Sequence, residues 1–219
     1  MSETDLTPAP DWPPPVVARQ GEGGPLVVLL HGRGSTEREI LRLADALPDG
    51  AEYVAVRAPI AEGQGYAWFA NRGIGRPMAE SLAATMGWFR RWLDETAPSP
   101  RPVVLLGFSG GAAFAGGLLL DDPRRWSGTA VLYGTLPFDA EVPVTPGRLA
   151  GCPVLAVQGD ADTVIPRELL DRTWSYLHTD SGAAVTAYRD SGGHGLTPAA
   201  LDVVHSWLAQ VLAPHAEAS

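Results

Sequence analysis

The stretch VVLLGFSGGAAFAGGLLL at residues 103–120 decides the fold, because its pattern changes at a single serine. VVLLGF is short and apolar, as in a strand that is buried on both faces of a sheet. After Ser109 the chain continues with small residues and a helical spacing of apolar ones. An uncharged run of about 18 residues is also long enough to span a bilayer. The change of period favours a strand, a sharp turn and a buried helix over a membrane span.

Predicted strands and helices alternate on both sides of this stretch. Most predicted strands are nearly continuous apolar runs, which is typical of a parallel sheet with helices on both faces. We therefore predict a doubly wound α/β fold without a large cap domain, as one domain over residues 16–213 that follows a flexible, proline-rich arm over residues 1–15. The predicted strands are 16–19, 25–31, 51–59, 101–108, 128–134, 152–160 and 183–190; the predicted helices are 36–47, 78–96, 110–120, 166–178 and 196–212; residues 60–77 are predicted to be a long loop.

Composition excludes several classes of function. The chain has 16 basic and 25 acidic residues among 219, a net charge of −9, which disfavours nucleic acid and anionic membranes as partners. All basic residues are arginine, so a Schiff-base lysine and a P-loop lysine are absent. The sequence contains no HExxH motif and no cysteine–histidine cluster, so we expect no metal and no cofactor.

The N-terminal sequence and the cysteine content indicate the cellular compartment in which the protein is expected. Cys152 is the only cysteine, so no internal disulfide can form. The first residues, MSETDLTPAPDWPPP, lack the positive start and the apolar run of a signal peptide. We therefore expect a cytoplasmic protein without stable membrane insertion, and the sequence leaves open whether it forms a homo-oligomer.

The segment GFSGG at residues 107–111 predicts a nucleophile. Ligands bind beyond the carboxyl ends of the strands in a doubly wound sheet, and Gly-x-Ser-x-Gly at such an end forms the strained turn called a nucleophile elbow. Gly107 and Gly111 leave room for the turn, and Ser109 would project its hydroxyl above the sheet. The alternative is a serine that only caps the helix, with glycines for close packing.

A serine hydroxyl needs a base, and the base needs a carboxylate that orients it. His194 in the glycine-rich loop SGGHG is the strongest candidate for the base. His31, His178 and His205 are better explained by structural or surface roles. The segment QGDADTVIP offers two candidate carboxylates, Asp160 and Asp162, and the order Ser, Asp, His matches the expected hydrolase topology.

The segment HGRG at residues 31–34 follows a strong strand and can supply backbone amides to a developing oxyanion. We predict that the amide of Arg33 acts together with that of Gly110, the residue after the nucleophile. The alternative is a plain strand-to-helix turn.

These segments together resemble the phospholipase/carboxylesterase and acyl-protein-thioesterase group of the α/β-hydrolases. The likeness covers residues 24–212 and is carried by LLHGRG, RAPIAEGQGYAWF, LLGFSGG, GDADTVIP and GGHG. It implies that Asp162 is the triad acid and that Asp160 is a turn residue. It also implies that Trp68 and Phe69 lie in a loop beside the substrate.

The sequence departs from the thioesterases of this group at several positions. They usually have leucine where Arg33 stands and glutamine where Gly110 stands, and their Trp-Phe pair is commonly followed by Asp, whereas Ala70 and Asn71 follow here. The resemblance therefore implies a bacterial serine carboxylesterase that acts on small esters through an acyl-enzyme. A thioesterase, a lysophospholipase, an enzyme of acyl transfer or cyclisation, and a non-catalytic binding protein of the same fold are the alternatives.

Overall fold

A computed structural model describes residues 11–216, so residues 1–10 of the predicted arm lie outside the described residues. The strands are β1 (Val17–Gln20), β2 (Leu26–Leu30), β3 (Glu52–Val56), β4 (Ile60–Glu62), β5 (Gly65–Ala67), β6 (Asn71–Gly73), β7 (Arg76–Pro77), β8 (Val103–Phe108), β9 (Gly128–Leu132), β10 (Pro153–Gly159) and β11 (Ala184–Asp190). Seven of them form the central sheet, in the order β1-β3-β2-β8-β9-β10-β11, and two short hairpins, β4-β5 and β6-β7, lie outside it.

Helices cover both faces of the sheet. The helices are α1 (Glu37–Leu41), extended by a 3₁₀ turn over Arg42–Ala46, α2 (Ala79–Thr96), α3 (Gly110–Asp121), α4 (Arg167–Ser175), extended by a π turn over Tyr176–Asp180, and α5 (Pro198–Ala216); a further 3₁₀ turn covers Pro123–Arg125. α2 and α3 pack against one set of alternate strand residues, and α1 and α5 pack against the other set. The predicted α/β class, with a mostly parallel sheet and no large cap, is confirmed.

The sheet is parallel except at one edge. β2 pairs in parallel with β3 and β8, and β9 and β10 continue the parallel order to β11. Only β1 is antiparallel, against β3. β2 is buried at every position, which explains its unbroken apolar sequence, since a strand covered on both faces has no solvent side for polar residues. The carboxyl ends of β2, β8, β9 and β10 therefore meet at one edge of the sheet.

Residues 103–120 form β8 and α3, joined at Ser109, as the change of period predicts. Ten of the twelve residues of α3 are buried. Because the protein surrounds this helix, it has no polar face towards solvent. No helix among residues 11–216 is long and apolar enough to cross a membrane.

The segment 60–77 differs from the predicted irregular loop. It contains the hairpins β4-β5 and β6-β7. β5 also adds to the turn after β2, because the amide of Gly34 donates to the carbonyl of Tyr66 at 2.9 Å and the amide of Tyr66 donates to the carbonyl of Ser35 at 3.0 Å. In the part of the predicted arm that the structure describes, the ring of Trp12 packs edge-on against Trp88 at 6.1 Å.

Candidate active site

Ser109 stands at the turn between β8 and α3 in a strained backbone conformation. Its φ of 55° and ψ of −115° fall in a region that residues with a side chain rarely adopt. A Cβ on Gly107 would lie 2.3 Å from the carbonyl oxygen of Gly111, and a Cβ on Gly111 would lie 2.1 Å from the carbonyl oxygen of Leu30. The two glycines are therefore required by sterics, and the turn has the geometry of a nucleophile elbow.

The structure brings Ser109, His194 and Asp162 together from three loops. Nε2 of His194 lies 2.9 Å from Oγ of Ser109, and Nδ1 of His194 lies 2.8 Å from Oδ2 of Asp162. A proton on Nδ1 that is donated to the carboxylate leaves Nε2 free to accept the proton of the serine hydroxyl. The arrangement can therefore activate the hydroxyl as a nucleophile.

The two candidate carboxylates have different environments. Asp162 has a fully buried side chain, and its Oδ1 accepts the amide hydrogens of Val164 at 2.8 Å and Ile165 at 3.1 Å. These bonds fix the carboxylate so that Oδ2 faces the histidine. Asp160 is exposed, and its amide donates to the carbonyl of Asp190. Asp160 thus occupies a turn, and only Asp162 contacts His194.

The loop that carries His194 is held by Asp190, the last residue of β11. Oδ2 of Asp190 accepts hydrogen bonds from the hydroxyl of Tyr133 at 2.6 Å and from the hydroxyl of Thr197 at 2.9 Å, and Oδ1 accepts the amide hydrogen of Gly192 at 2.7 Å. Burial alone would raise the pKa of the Asp190 carboxyl, but these three hydrogen bonds outweigh burial and lower the pKa. An ionised Asp190 therefore clamps the loop on both sides of His194.

This clamp was not predicted from the sequence. Tyr133 is fully buried and has a φ of 47°, a conformation that is unusual for a residue with a side chain. Burial, followed by its bond to Asp190, raises the pKa of the Tyr133 hydroxyl, which keeps it a donor. The one sequence signal is the position of Asp190, directly before the loop SGGHG.

Arg33 and Gly110 lie side by side, in the turns that follow β2 and β8. A Cβ on Gly110 would lie 3.3 Å from the amide nitrogen of Arg33. Neither amide donates a hydrogen bond to another group among the described residues. Two amides without a partner beside a candidate nucleophile can donate hydrogen bonds to the oxyanion of a tetrahedral intermediate, which stabilises its negative charge.

His31 fixes the turn that presents the Arg33 amide. Its buried ring places Nδ1 at 2.7 Å from the carbonyl oxygen of Gly32, and its Nε2 accepts the amide hydrogen of Ala58 at 3.1 Å. Burial lowers the pKa of His31, so the neutral ring with a proton on Nδ1 satisfies both contacts. The structural role that the sequence favours for His31 agrees with these contacts.

A cavity of about 460 Å³ opens beside Ser109. Its lining includes the polar residues Arg33, Ser35 and Glu39 and the apolar residues Ile74, Val164 and Ile165. Arg33 is already paired, because its Nε donates to Glu62 at 2.6 Å and its Nη1 donates to the carbonyl of Phe69 at 3.3 Å.

Trp68 and Phe69, both predicted to lie beside the substrate, differ in their position relative to the cavity. Phe69 lines the cavity. Trp68 does not: it is 2 % exposed, stacks on Phe114 at 4.4 Å and donates from Nε1 to the carbonyl of His31 at 2.8 Å. We therefore correct the position of Trp68, because the hairpin β4-β5 turns its indole into the core. Trp68 supports the turn after β2 through its hydrogen bond to His31 and does not line the cavity.

The remaining histidines with described side chains lie elsewhere. His178 contacts the carbonyl of Trp174 at 2.7 Å, and His205 contacts the carbonyl of Ala46 at 3.0 Å; both are exposed. Among residues 11–216, no group of three or more His, Cys, Asp or Glu side chains could hold a metal ion.

Comparison with known proteins gives consistent matches. The sequence model of the family described as Phospholipase/Carboxylesterase matches residues 13–212. The protein MhqD of Bacillus subtilis (strain 168) is 25 % identical over 201 residues, which cover 90 % of this chain and 98 % of MhqD. A carboxylesterase from Mesorhizobium loti is 28 % identical, with a TM-score of 0.76 over 86 % of this chain and 90 % of that one. A Bacillus cereus carboxylesterase, 24 % identical, has the same fold, with a TM-score of 0.78 over 90 % of this chain and 94 % of that one.

Proposed function

Because this chain belongs to the phospholipase/carboxylesterase family of hydrolases, we propose that it is a serine carboxylesterase that cleaves small, soluble esters through an acyl-enzyme. The observation that carries the proposal is the unbroken chain of contacts from Asp162 through His194 to the hydroxyl of Ser109, with distances of 2.8 and 2.9 Å.

The proposed reaction begins with attack of Ser109 Oγ on the ester carbonyl. His194 Nε2 takes the hydroxyl proton, and Asp162 stabilises the imidazolium that forms. The amides of Arg33 and Gly110 donate to the oxyanion. The intermediate collapses when His194 gives its proton to the departing alcohol. Water then attacks the acyl-enzyme with His194 as the base again, which releases the acid and restores Ser109.

The cavity supports a small ester as the substrate. Its volume of about 460 Å³ is in the range of sites for small molecules. The apolar residues Ile74, Val164 and Ile165 in its lining suit a short or medium acyl chain. Ile74 and Val164 are exposed large apolar residues at its mouth, where an uncharged chain would shield them from water.

The proposal is tested with a panel of p-nitrophenyl esters, acyl-CoA thioesters and a lysophospholipid, with product identification and Ser109→Ala as the matched control. We expect free acid from short and medium esters, no jump in rate when a substrate exceeds its solubility, and loss of turnover in the variant. Preferred thioester or lysophospholipid cleavage would replace the carboxylesterase assignment, and a product formed with an added alcohol or amine would indicate acyl transfer. No turnover of any substrate would contradict the proposal.

A further inference from the structure

The turn between β2 and α1, which presents the Arg33 amide, is held at both ends by two consecutive residues, Arg57 and Ala58. At the beginning of the turn, the amide of Ala58 donates to Nε2 of His31 at 3.1 Å. At its end, Nε and Nη2 of Arg57 donate to the two carboxylate oxygens of Glu37, the first residue of α1, each at 2.7 Å. Both ends of the turn are therefore fixed to the same point, directly after β3.

The middle of this turn needs contacts from outside, because its own sequence does not fix its conformation. Gly32 and Gly34 flank Arg33, and glycine has the widest choice of backbone conformations. Gly34 has a φ of 77°, in the left-handed region that favours glycine. The outside contacts come from β5, where the carbonyl of Tyr66 accepts the amide hydrogen of Gly34 and the amide of Tyr66 donates to the carbonyl of Ser35. The conformation at Arg33 thus depends on where β5 lies.

Arg57 also contacts β5. Its Nη1 donates to the hydroxyl of Tyr66 at 3.3 Å, and its guanidinium lies 4.7 Å from the centre of the Tyr66 ring. β5 lies directly against the turn, because a Cβ on Gly65 would be 2.0 Å from the carbonyl oxygen of Gly34. The three nitrogen atoms of the Arg57 guanidinium all have partners, and these partners lie in α1 and in β5. One side chain therefore connects the two elements between which the turn is held.

The ion pair of Arg57 and Glu37 occupies a place where stability alone does not require it. The side chain of Glu37 is 1 % exposed, and its hydrogen bond from Arg57 is the main reason why its pKa lies below the ordinary value. Taking charges out of water costs about as much as their attraction returns, so apolar side chains of similar volume would stabilise a fold equally well. What apolar side chains do not supply is the fixed geometry of two parallel hydrogen bonds between planar groups.

We propose that Arg57 and Glu37 are positioning residues that hold the amide of Arg33 where it donates to the oxyanion. Neither of them lines the cavity beside Ser109, so they act through the turn and through β5. This inference rests on the proposed esterase function. It implies that a protein without the ion pair can be as stable as the wild type and still catalyse the reaction more slowly.

The test replaces both partners at once, because the removal of one would leave the other charge without its partner. The double variant combines Glu37→Leu with Arg57→Met. We expect its melting temperature to stay near that of the wild type. Its kcat for p-nitrophenyl butyrate should fall by about 10- to 100-fold with little change in KM, because a displaced amide weakens the contact with the oxyanion and not the binding of the ester.

Two ketone inhibitors of the same chain length separate a displaced amide from a distorted cavity. Ser109 adds to a trifluoromethyl ketone, which then carries an oxyanion, whereas the plain methyl ketone binds as the unreacted carbonyl compound. We expect the inhibition constant of the trifluoromethyl ketone to rise by the same factor by which kcat/KM falls, and that of the methyl ketone to change by less than about twofold. A pair that only stabilises the fold would change neither constant in the folded variant.

Arg57→Lys keeps the charge but loses the planar fork that reaches both oxygens of Glu37, and it should lower kcat by about 3- to 10-fold. This variant carries the test if the double variant does not fold. The matched control is the ion pair at the other end of β3, where Nη2 of Arg101 lies 2.7 Å from Oε2 of Glu52. Arg101→Lys should leave kcat and both inhibition constants at their wild-type values, whatever it does to the melting temperature.

Two results would overturn the inference. One is a folded double variant, or a folded Arg57→Lys variant in its place, with wild-type kcat and wild-type affinity for the trifluoromethyl ketone. The other is an equal loss of affinity for both ketones, because the pair would then shape the cavity and not position the amide. The wild-type protein judges the esterase function separately: hydrolysis that depends on Ser109 supports it whatever the variants do, and no hydrolysis by the wild type would contradict it.

Discussion

Tyr133 and Asp190 are joined by a hydrogen bond of 2.6 Å that links the strand end beside Ser109 to the loop of His194. Tyr133 directly follows β9, whose last residue, Leu132, accepts the amide hydrogen of Ser109 at 2.9 Å. Ser109 and His194, the candidate nucleophile and base, are therefore connected through a buried tyrosine and a carboxylate, neither of which hydrogen-bonds to the hydroxyl of Ser109 or to the ring of His194.

The first prediction is that Asp190 and Tyr133 position His194. Asp190→Asn and Tyr133→Phe should lower kcat by about 10- to 100-fold with little change in KM, because a displaced base loses its geometry for proton transfer. Thr197→Ser keeps a hydroxyl for Asp190 and should have nearly wild-type kcat. The measurement is steady-state kinetics with the melting temperature of each variant. A lower melting temperature with unchanged kcat would show that the clamp only stabilises the fold.

The second prediction separates the two aspartates of the segment QGDADTVIP. Asp162→Asn should reduce kcat by about 10³- to 10⁴-fold, because an amide cannot hold the histidine tautomer that the reaction needs. Asp160→Asn is the matched control, with the same chemical change at an exposed turn, and should retain most of the activity. The opposite ranking in steady-state assays would contradict the assignment of the acid.

The buried strands and helices could be predicted because their patterns are local. A strand covered on both faces, such as β2, must be apolar at every position, and the glycines around Ser109 follow from the sterics of one tight turn. The order of elements then brings Ser109 and His194 to one edge of the sheet without further information.

The hairpins and the cavity wall could not be predicted in the same way. Strands of two or three residues, such as β6 and β7, carry no measurable alternation. The turn between them lies against distant residues, Leu169 and Thr135, and these contacts cannot be read from a local pattern. The orientation of Trp68 depends equally on long-range contacts. An aromatic residue in such a segment can face the cavity or the core, and its stacking on Phe114 decides for the core.

The third prediction concerns the glycines of the turn. Gly111→Ala should yield little folded protein, because its Cβ would lie 2.1 Å from the carbonyl oxygen of Leu30. Gly110→Ala is the matched control, since the nearest atom to its Cβ is the amide nitrogen of Arg33 at 3.3 Å, and it should fold. Circular dichroism and thermal melts measure both. A Gly111→Ala variant that melts like the wild type would contradict the described turn.

The fourth prediction concerns stability against pH. Burial lowers the pKa of His31 in the folded protein below its ordinary value of 6.5, so between these two values only the unfolded state binds the proton. The free energy of unfolding should therefore fall as pH drops below about 6.5, with a contribution of up to about 1.4 kcal/mol per pH unit, and this contribution ends once pH passes the folded pKa.

Urea denaturation between pH 7.5 and 4.5 measures this contribution. His31→Gln should have a shallower pH dependence than the wild type, because it removes the group whose pKa burial lowers. Equal slopes in the wild type and His31→Gln would mean that the two states of the protein bind the His31 proton equally well.

The most direct test of the central claim is covalent labelling of the nucleophile. A fluorophosphonate reacts with a serine that a neighbouring base has activated, and intact mass followed by peptide mapping locates the adduct. We predict one adduct per chain, on the peptide that contains Ser109, and no adduct on the folded Ser109→Ala variant. Full labelling of Ser109→Ala, or an adduct on a different residue of the wild-type protein, would contradict the assignment of Ser109 as the nucleophile.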